Sequence, residues 1–185
     1  MTVRVHADGL ARCGWLNDDE LYVSYHDNEW GEELRGQREL YEKITLEGFQ
    51  AGLSWLTILK RRESFRLAFD GFDIQKIAAY GPQKIESLMA DPGIIRNRLK
   101  ILAAINNANV ILDQQLDLTD LLWSFAPPQP PGTNQASNTT SPESDAMSKE
   151  LKRLGFRFVG STTLYALMQS TGMVRAHSNN CFKAS

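Results

Sequence analysis

Apolar residues recur at helical spacing over most of this 185-residue chain, and the alternation typical of strands is sparse. From Leu34 to about Phe72 they are spaced by three and four positions, the pattern of one face of an α-helix. Gly52 interrupts this run and is expected to divide it into two helices. Residues 1–9 have no periodicity and end in glycine, which predicts a flexible N-terminal tail. The chain is therefore predicted to be mainly α.

Start signals precede other apolar segments. Asp73 as an N-cap opens a predicted helix that ends at Tyr80, and Pro82 as a first-turn residue opens another that ends at Ala90. Further helices are predicted over 95–112, 120–125, 144–154 and 162–171.

Residues 126–144 differ in composition, because Pro, Ser, Thr and Asn dominate them. Such a segment buries too little apolar area to offset its ordering entropy, so it is predicted to be a loop. Only about forty residues follow it, too few for a separate domain. We therefore expect a single helical domain over 10–185, with this loop as a surface excursion.

The composition and charge narrow the classes of function. Hydrophobic residues make up 42% and charged residues 23%, which are ordinary values for a globular protein. No apolar run is long enough to cross a bilayer, and the N-terminus lacks the apolar core of a signal peptide, so we expect a cytoplasmic protein without a membrane partner. The net charge of −2 means that any nucleic-acid binding depends on local basic patches, each of which could instead be a solvated helix face. The candidate patches are Lys60-Arg61-Arg62, Arg96 with Arg98 and Lys100, and Lys149 with Lys152, Arg153 and Arg157.

The connection between the last two predicted helices has the layout of a helix-hairpin-helix. Gly160 permits a tight turn and the close approach of another backbone. The amides of Gly160, Ser161 and Thr162 would then point outward from a helix N-terminus, where an anion such as a DNA phosphate is favoured. The alternative is an ordinary pair of helices joined by a glycine-containing turn.

Four residues have the chemistry of metal ligands: Cys13, His26, His177 and Cys181. His177 and Cys181 are separated by one helical turn, and two cysteines with two histidines form a common tetrahedral zinc set. Four protein ligands leave no position for a water molecule, so a zinc held there would be structural and would tether the two ends of the chain. The alternative is two free thiols and two unrelated histidines, since a disulfide is not expected in a reducing compartment.

Specific motifs occur in order from about residue 12 to the end of the chain. They are Arg12-Cys13-Gly14-Trp15, Tyr25-His26-Asp27-Asn28-Glu29-Trp30-Gly31, Leu46-Glu47-Gly48-Phe49-Gln50-Ala51-Gly52-Leu53-Ser54-Trp55, Gly93-Ile94-Ile95-Arg96, Leu122-Trp123-Ser124-Phe125, Gly155-Phe156-Arg157-Phe158-Val159-Gly160 and His177-x3-Cys181. In these motifs the chain resembles the DNA-3-methyladenine glycosylase I family, within the helix-hairpin-helix superfamily.

The resemblance implies a helix-hairpin-helix DNA glycosylase fold with a zinc-tethered subdomain formed by the N- and C-terminal segments. It implies one structural Zn²⁺ on Cys13, His26, His177 and Cys181. It implies a monomer that acts on alkylated double-stranded DNA and releases 3-methyladenine. The base-binding residues it implies are Tyr25, Glu47 and Trp55, with Trp15 and Trp30 nearby and Glu47 as the catalytic carboxylate in the sense of recognition.

The chemistry of an alkylated, positively charged purine suits these residue types. Tyr25 and Trp55 are expected to sandwich the cationic base after it is flipped out of the duplex, and ionised Glu47 to accept hydrogen bonds from its amino group. Gly52 and Leu53 are expected to enter the gap left in the DNA.

The residues that follow Gly172 lead to His177 without a carboxylate, which predicts a monofunctional glycosylase with no lyase step. One alternative is a non-catalytic, zinc-stabilised helix-hairpin-helix module that only binds DNA. Another is a zinc hydrolase, which four protein ligands disfavour.

Overall fold

The computed structural model describes residues 2–128 and 138–184, and within them the fold is helical apart from one two-stranded sheet. The strands are β1 (Val3–Val5) and β2 (Ala11–Cys13). The helices are α1 (Glu20–Asn28), α2 (Gln37–Gln50), α3 (Trp55–Leu59), α4 (Arg62–Ala68), α5 (Ile74–Ala78), α6 (Pro82–Ala90), α7 (Arg98–Asp113), α8 (Leu118–Trp123), α9 (Pro142–Leu154) and α10 (Ser161–Ser170), with a 3-10 turn at Asp70–Phe72.

The predicted mainly α character is confirmed, and several boundaries agree closely with it. α6 occupies the predicted residues, and the Asp73 side chain caps α5 by accepting a hydrogen bond from the Lys76 amide at 3.1 Å. The segment that was expected to form two helices forms α2, α3, α4 and the 3-10 turn. Gly52, at φ +85°, ends α2, and Ser54 caps the separate helix α3.

The prediction of an irregular tail over residues 1–9 was wrong in one respect. β1 pairs antiparallel with β2, with Val3 opposite Cys13, and Gly9 at φ +81° lies in the reversal between them. Three-residue strands carry too little alternation to be read from sequence. Helix α1 was also not predicted, although Asp19 caps it by accepting from the Tyr22 amide at 3.3 Å.

The predicted loop over 126–144 is only partly testable, because residues 129–137 lie outside the described part of the chain. At its far end α9 begins at Pro142 rather than Ser144. Ser141 caps it in a reciprocal arrangement, in which its side chain accepts from the Ser144 amide at 3.2 Å.

Helix α2 lies at the centre of the fold and packs against α3, α7, α8 and α10. Its side chains from Leu40 to Phe49 include the largest buried group of any described helix. The two ends of the chain meet beside it, because the Phe182 amide donates to the Ala11 carbonyl at 2.8 Å. Among the described residues, every helix is too short or too polar to cross a bilayer.

Candidate functional site

A cavity of about 200 Å³ is lined by aromatic side chains from three parts of the chain and by one carboxylate. The structure brings together all five pocket residues expected from the sequence, and adds Tyr22. The lining residues are Trp15, Tyr22, Tyr25, Trp30, Glu47, Gln50, Trp55, Ala166, Gln169 and Ser170. Tyr22 stands three residues before Tyr25 on α1, so a helix predicted there would have placed both rings on one face.

Glu47 is the buried acid of this cavity, with 4% of its surface exposed. Its Oε1 accepts a hydrogen bond from the Ser170 hydroxyl at 3.3 Å. Its Oε2 is buried and has no hydrogen-bond partner among the described residues, and the same is true of the indole nitrogen of Trp55. Buried polar atoms in native proteins are almost always paired, so this oxygen indicates a ligand that donates to it.

Lys43 is the counter-ion of Glu47 and was missed in the sequence. It lies one helical turn before Glu47 on α2, with its Nζ 3.6 Å from Oε1. The same ammonium donates to the Tyr25 hydroxyl at 2.8 Å and lies 4.1 Å from the centre of the Trp55 ring. Lys43 does not line the aromatic cavity. Its ammonium therefore contacts Glu47, Tyr25 and Trp55 from outside that cavity.

Burial shifts the pKa values of Glu47, Lys43 and Tyr25. It raises the pKa of Glu47, and the neighbouring Lys43 ammonium opposes that rise. It also lowers the pKa of Lys43 and raises the pKa of Tyr25 well above the usual value. Once ionised, a carboxylate that is shielded from water attracts a cation more strongly than a solvated one does.

The aromatic rings are arranged differently from the expected sandwich. The ring centres of Tyr25 and Trp55 are 5.5 Å apart and their planes are inclined by 41°. A flat base between two rings needs about 7 Å, two contact distances of roughly 3.5 Å, so no base fits between them. The expected sandwich of the base between these two rings therefore stays a prediction, which would require the rings to separate. They contact each other and form one wall, while Trp15 packs on Tyr22 and Trp30, each at 5.0 Å.

A second cavity of about 260 Å³ shares Tyr25, Trp55 and Ser170 with the aromatic one. Carboxylates dominate its lining, although Lys43, Arg62 and Arg66 offset part of the charge. The acids are Glu29, Glu32, Glu33, Glu39 and Glu42. Each of these five acids forms an ion pair, with Arg62, Lys183, Arg35, Arg38 and Arg66 respectively.

The four expected metal ligands converge although they come from opposite ends of the chain. The ligand atoms of Cys13, His26, His177 and Cys181 all lie within 4.8 Å of one another, and all four residues are buried. The Nδ1 of His177 is 3.7 Å from the Cys13 sulfur and 3.6 Å from the Cys181 sulfur, and the Nε2 of His26 is 3.5 Å from the Cys181 sulfur. Tetrahedral zinc with ordinary bond lengths requires about 3.6 Å between sulfur and nitrogen ligands. The donor set and its spacing therefore fit a metal ion.

The second nitrogen of each histidine is also bonded, which orients the ring. His26 Nδ1 is hydrogen-bonded to Asp27 at 2.8 Å, and Arg12 in turn binds that carboxylate at 2.7 Å. His177 Nε2 is hydrogen-bonded to the Trp30 carbonyl at 3.0 Å. A side chain at Gly31 would come within 3.0 Å of His177, so glycine makes room for this ring. Such partners are typical of metal-binding histidines.

Two loops expected to contact DNA have exposed residues, although Phe156 and Val159 of the second are buried. In the first, residues 51–54 form the turn between α2 and α3, and Leu53 is 42% exposed there. In the second, residues 155–160 form the hairpin between α9 and α10, and no side chain caps the start of α10 at Gly160. The amides of Ser161 and Thr162, in the first turn of α10, are therefore not engaged by a capping side chain.

The residues of the predicted basic patches differ in their ion pairs and in their exposure. Lys60, Arg62, Arg98 and Arg153 form ion pairs with Asp19, Glu29, Glu86 and Glu150 respectively. Lys149, Lys152 and Arg157, beside the 155–160 hairpin, are exposed and have no ion-pair partner in the described ranges. Arg96 is exposed, whereas Lys100 is 8% exposed, so its placement in a surface patch was wrong.

Residues 15–184 match the methyladenine glycosylase family. The chain is 45% identical over 179 residues to DNA-3-methyladenine glycosylase 1 of Escherichia coli strain K12, covering 93% of this chain and 96% of that protein. A crystal structure of a 3-methyladenine DNA glycosylase I superposes with a TM-score of 0.89 at 44% identity, covering 94% of this chain and all of the other. A 3-methyladenine DNA glycosylase I from Staphylococcus aureus, described for its recognition of 3-methyladenine, gives 0.87 at 32% identity, covering 94% and 96%.

Proposed function

This chain belongs to the methyladenine glycosylase family, and we propose that it hydrolyses the N-glycosyl bond of 3-methyladenine in alkylated double-stranded DNA, without a lyase step. The observation that carries the proposal is the buried Glu47 carboxylate, whose Oε2 has no partner among the described residues, in a cavity walled by aromatic rings.

The reaction needs a recognition site more than an acid. Methylation gives the base a positive charge, and when the glycosyl bond breaks its electron pair moves onto the base, which leaves neutral. Water adds its oxygen to the sugar carbon and releases a proton to solvent. The leaving group requires no protonation, so the pocket's work is to select and orient the charged base.

Glu47 and the rings supply that selection through charge. The partnerless Oε2 can accept from the amino group of 3-methyladenine, and the ionised carboxylate attracts the positive ring. A cationic ring against the face of an aromatic side chain gains about 0.5–2 kcal/mol, which neutral adenine does not. Guanine presents a carbonyl where adenine has its amino group, and that oxygen would face the carboxylate.

The two exposed loops support extraction of the base. Flipping a nucleotide costs a few kcal/mol, and an apolar side chain that replaces the lost stacking offsets part of this cost. Leu53, exposed at the tip of the 51–54 turn, has that role in the proposal, with Gly52 giving close access. The amides of Gly160, Ser161 and Thr162 hold a phosphate at the start of α10, as in a helix-hairpin-helix. Lys149 and Lys152 of α9 and Arg157 of the hairpin add exposed basic side chains.

One structural zinc ion on Cys13, His26, His177 and Cys181 completes the proposal. Bound there, it cross-links β2, α1 and the C-terminal segment. The rings of Trp15 and Trp30 lie 5.5 and 6.0 Å from His26, so the cluster also supports one wall of the cavity. Four protein ligands favour this role over a hydrolytic one.

Incubation with methylated DNA tests the function. Free 3-methyladenine is expected by chromatography, with the DNA strand left intact until the abasic sites are cleaved chemically. Duplex binding without release of a base would favour the non-catalytic DNA-binding module. Strand cleavage by the protein alone would contradict the absence of a lyase step.

Replacing Lys43 by methionine is expected to move the acidic limb of the pH–activity profile to higher pH. The Lys43 ammonium lowers the pKa of Glu47, and base recognition needs the ionised carboxylate. Without this ammonium the pKa of Glu47 is higher, so the variant loses activity at a higher pH. The other titratable groups that face Glu47 are the phenols of Tyr22 and Tyr25, which are neutral in this range. At neutral pH we expect kcat/KM to fall roughly tenfold, the equivalent of about 1.4 kcal/mol.

Lys43→Arg is the matched control, because it keeps the charge and should keep the limb near its original position. The measurement is kcat/KM for release of 3-methyladenine from pH 5 to 8. An unchanged limb in Lys43→Met would show that this lysine does not set the ionisation of Glu47.

A further inference from the structure

We propose that Lys100 and Asn107 of α7 are positioning residues that hold the two DNA-facing loops at a fixed separation. The inference rests on the proposed function, because it takes the 51–54 turn and the 155–160 hairpin as the surfaces that engage DNA. Neither residue lines the aromatic cavity.

Lys100 fixes the first loop. Its ammonium donates to the carbonyls of Phe49 and Ala51, at 2.8 and 2.7 Å, where α2 ends and the turn begins. Carbonyls at a helix C-terminus have no partner within the helix, and a cation there is also favoured by the helix dipole. Among the described residues no carboxylate pairs with Lys100, so these two carbonyls are the groups that compensate its burial.

A buried lysine without an acid is a costly way to stabilise a fold, and burial lowers its pKa. The arrangement fixes the position of the 51–54 turn. The side chain spans from α7 to the last carbonyls before Gly52, so the start of the turn cannot shift without breaking both hydrogen bonds.

Asn107 fixes the second loop in the same way. It is 5% exposed, and its amide pairs with both backbone groups of Arg157: Nδ2 donates to the carbonyl at 3.0 Å, and Oδ1 accepts from the amide at 2.8 Å. The neighbouring Asn106 donates to the Gly155 carbonyl at 2.8 Å. The 155–160 hairpin is therefore attached to α7 through its backbone, as a strand would be to its neighbour.

The two attachments share one rigid element. Lys100 and Asn107 are two helical turns apart, about 10.5 Å along the axis. Both line a small space between α2, α7 and the hairpin, together with Gly48 and Phe158. Since each loop is bonded to α7, the helix sets the distance between two groups: the Leu53 side chain that enters the DNA and the phosphate-binding amides at the start of α10.

The test separates engagement of DNA from recognition of the base. Lys100→Met and Asn107→Leu are compared with Lys76→Met and Asn109→Leu. Lys76 is exposed on α5, and Asn109 lies on α7 but bonds to the carbonyls of Ala78 and Ile105. The readouts are Kd for a duplex that carries a tetrahydrofuran abasic-site analogue, by fluorescence anisotropy, and Kd for free 3-methyladenine, by tryptophan fluorescence.

The two test variants are expected to weaken duplex binding roughly tenfold and to leave free-base binding within about twofold, with both controls close to the original protein. The double variant should lose less duplex affinity than the product of the two single losses. Either change alone frees one loop, and the separation between the loops is then no longer fixed. Lys100→Arg should restore most of the duplex affinity, since it retains the cation.

Equal losses of duplex and free-base affinity would show a general structural role and would overturn the proposal, as would unchanged duplex binding in well-folded variants. If Lys100→Met does not fold, Asn107→Leu gives the same comparison. Failure of the proposed function is distinguishable, because it would show as no base release by the unmutated protein, whereas the duplex affinities judge the positioning role by themselves.

Discussion

Replacing Glu47 by glutamine is expected to reduce kcat/KM for release of 3-methyladenine roughly 100-fold or more, the scale of losing one buried, charge-assisted contact to a reacting group. Glutamine keeps the shape of the side chain but cannot carry the negative charge. The side chain at position 47 then attracts the cationic base no more strongly than a neutral one. The released base is neutral and glutamine can still accept from its amino group, so the affinity for free 3-methyladenine should fall less than kcat/KM. Tryptophan fluorescence can measure it, because Trp55 lines the same cavity.

Glu42→Gln is the matched control for this change. Glu42 lies on the same helix and is largely buried, but it lines the acidic cavity and pairs with Arg66 at 2.8 Å. Its replacement should change base release by less than about threefold, because its partner Arg66 is exposed to solvent and Glu42 does not line the aromatic cavity. If Glu47→Gln retained release within about threefold, while circular dichroism showed a folded protein, the carboxylate would have no part in recognition.

The pocket and the metal cluster were expected from the sequence because their residues fall within motifs that resemble those of the DNA-3-methyladenine glycosylase I family. Glu47 and Trp55 are part of one such segment, and Tyr25 and His26 are adjacent in another. The spacing of His177 and Cys181 indicated two ligands on one turn. It could not show that Cys13 lies 3.7 Å from His177, since that contact spans 164 residues.

Contacts made by long polar side chains were the least predictable part of the site. Lys43 was not singled out from the sequence and Lys100 was placed in a surface patch, yet both ammonium groups are directed into the protein. The flexible stem of lysine reaches several ångströms in many directions, and only the packing of α2 against α7 decides which carbonyls or carboxylates it meets. The separation of the Tyr25 and Trp55 rings could not be predicted for a related reason, because it depends on how α1 and α3 pack.

The N-terminal strands show a different limit. β1 and β2 have three residues each, too few for a pattern, and a two-stranded ribbon alone is marginal in water. Here β2 is held by the C-terminal segment through the bond from Phe182 to Ala11, and by the cluster that includes Cys13. The structure of this region therefore depends on residues at the far end of the chain.

That dependence makes the cluster the second site of large expected effects. Replacing His177 by alanine is expected to abolish stoichiometric zinc binding and to lower the midpoint of thermal unfolding by about 10 °C or more. The change removes a ligand from a site that brings residues 13 and 181 together only in the folded chain, so the free energy of zinc binding no longer stabilises the folded state. A loss on the order of 4 kcal/mol corresponds to that shift for a chain of this size. Base release should fall as well, because the Trp30 ring lies 4.7 Å from His177 and would lose its support.

His6→Ala is the matched control, since His6 is similarly buried and pairs with Asp18 but lies outside the cluster. Zinc content would be measured by elemental analysis after purification in zinc-containing buffer, and stability by differential scanning calorimetry. The control should keep one zinc ion per chain, and a chelator should bring the unmutated protein toward the behaviour of His177→Ala. One zinc ion retained by His177→Ala would mean that the ligand set is wrong, and a chelator without effect on stability would mean that the metal does not hold the two ends of the chain together.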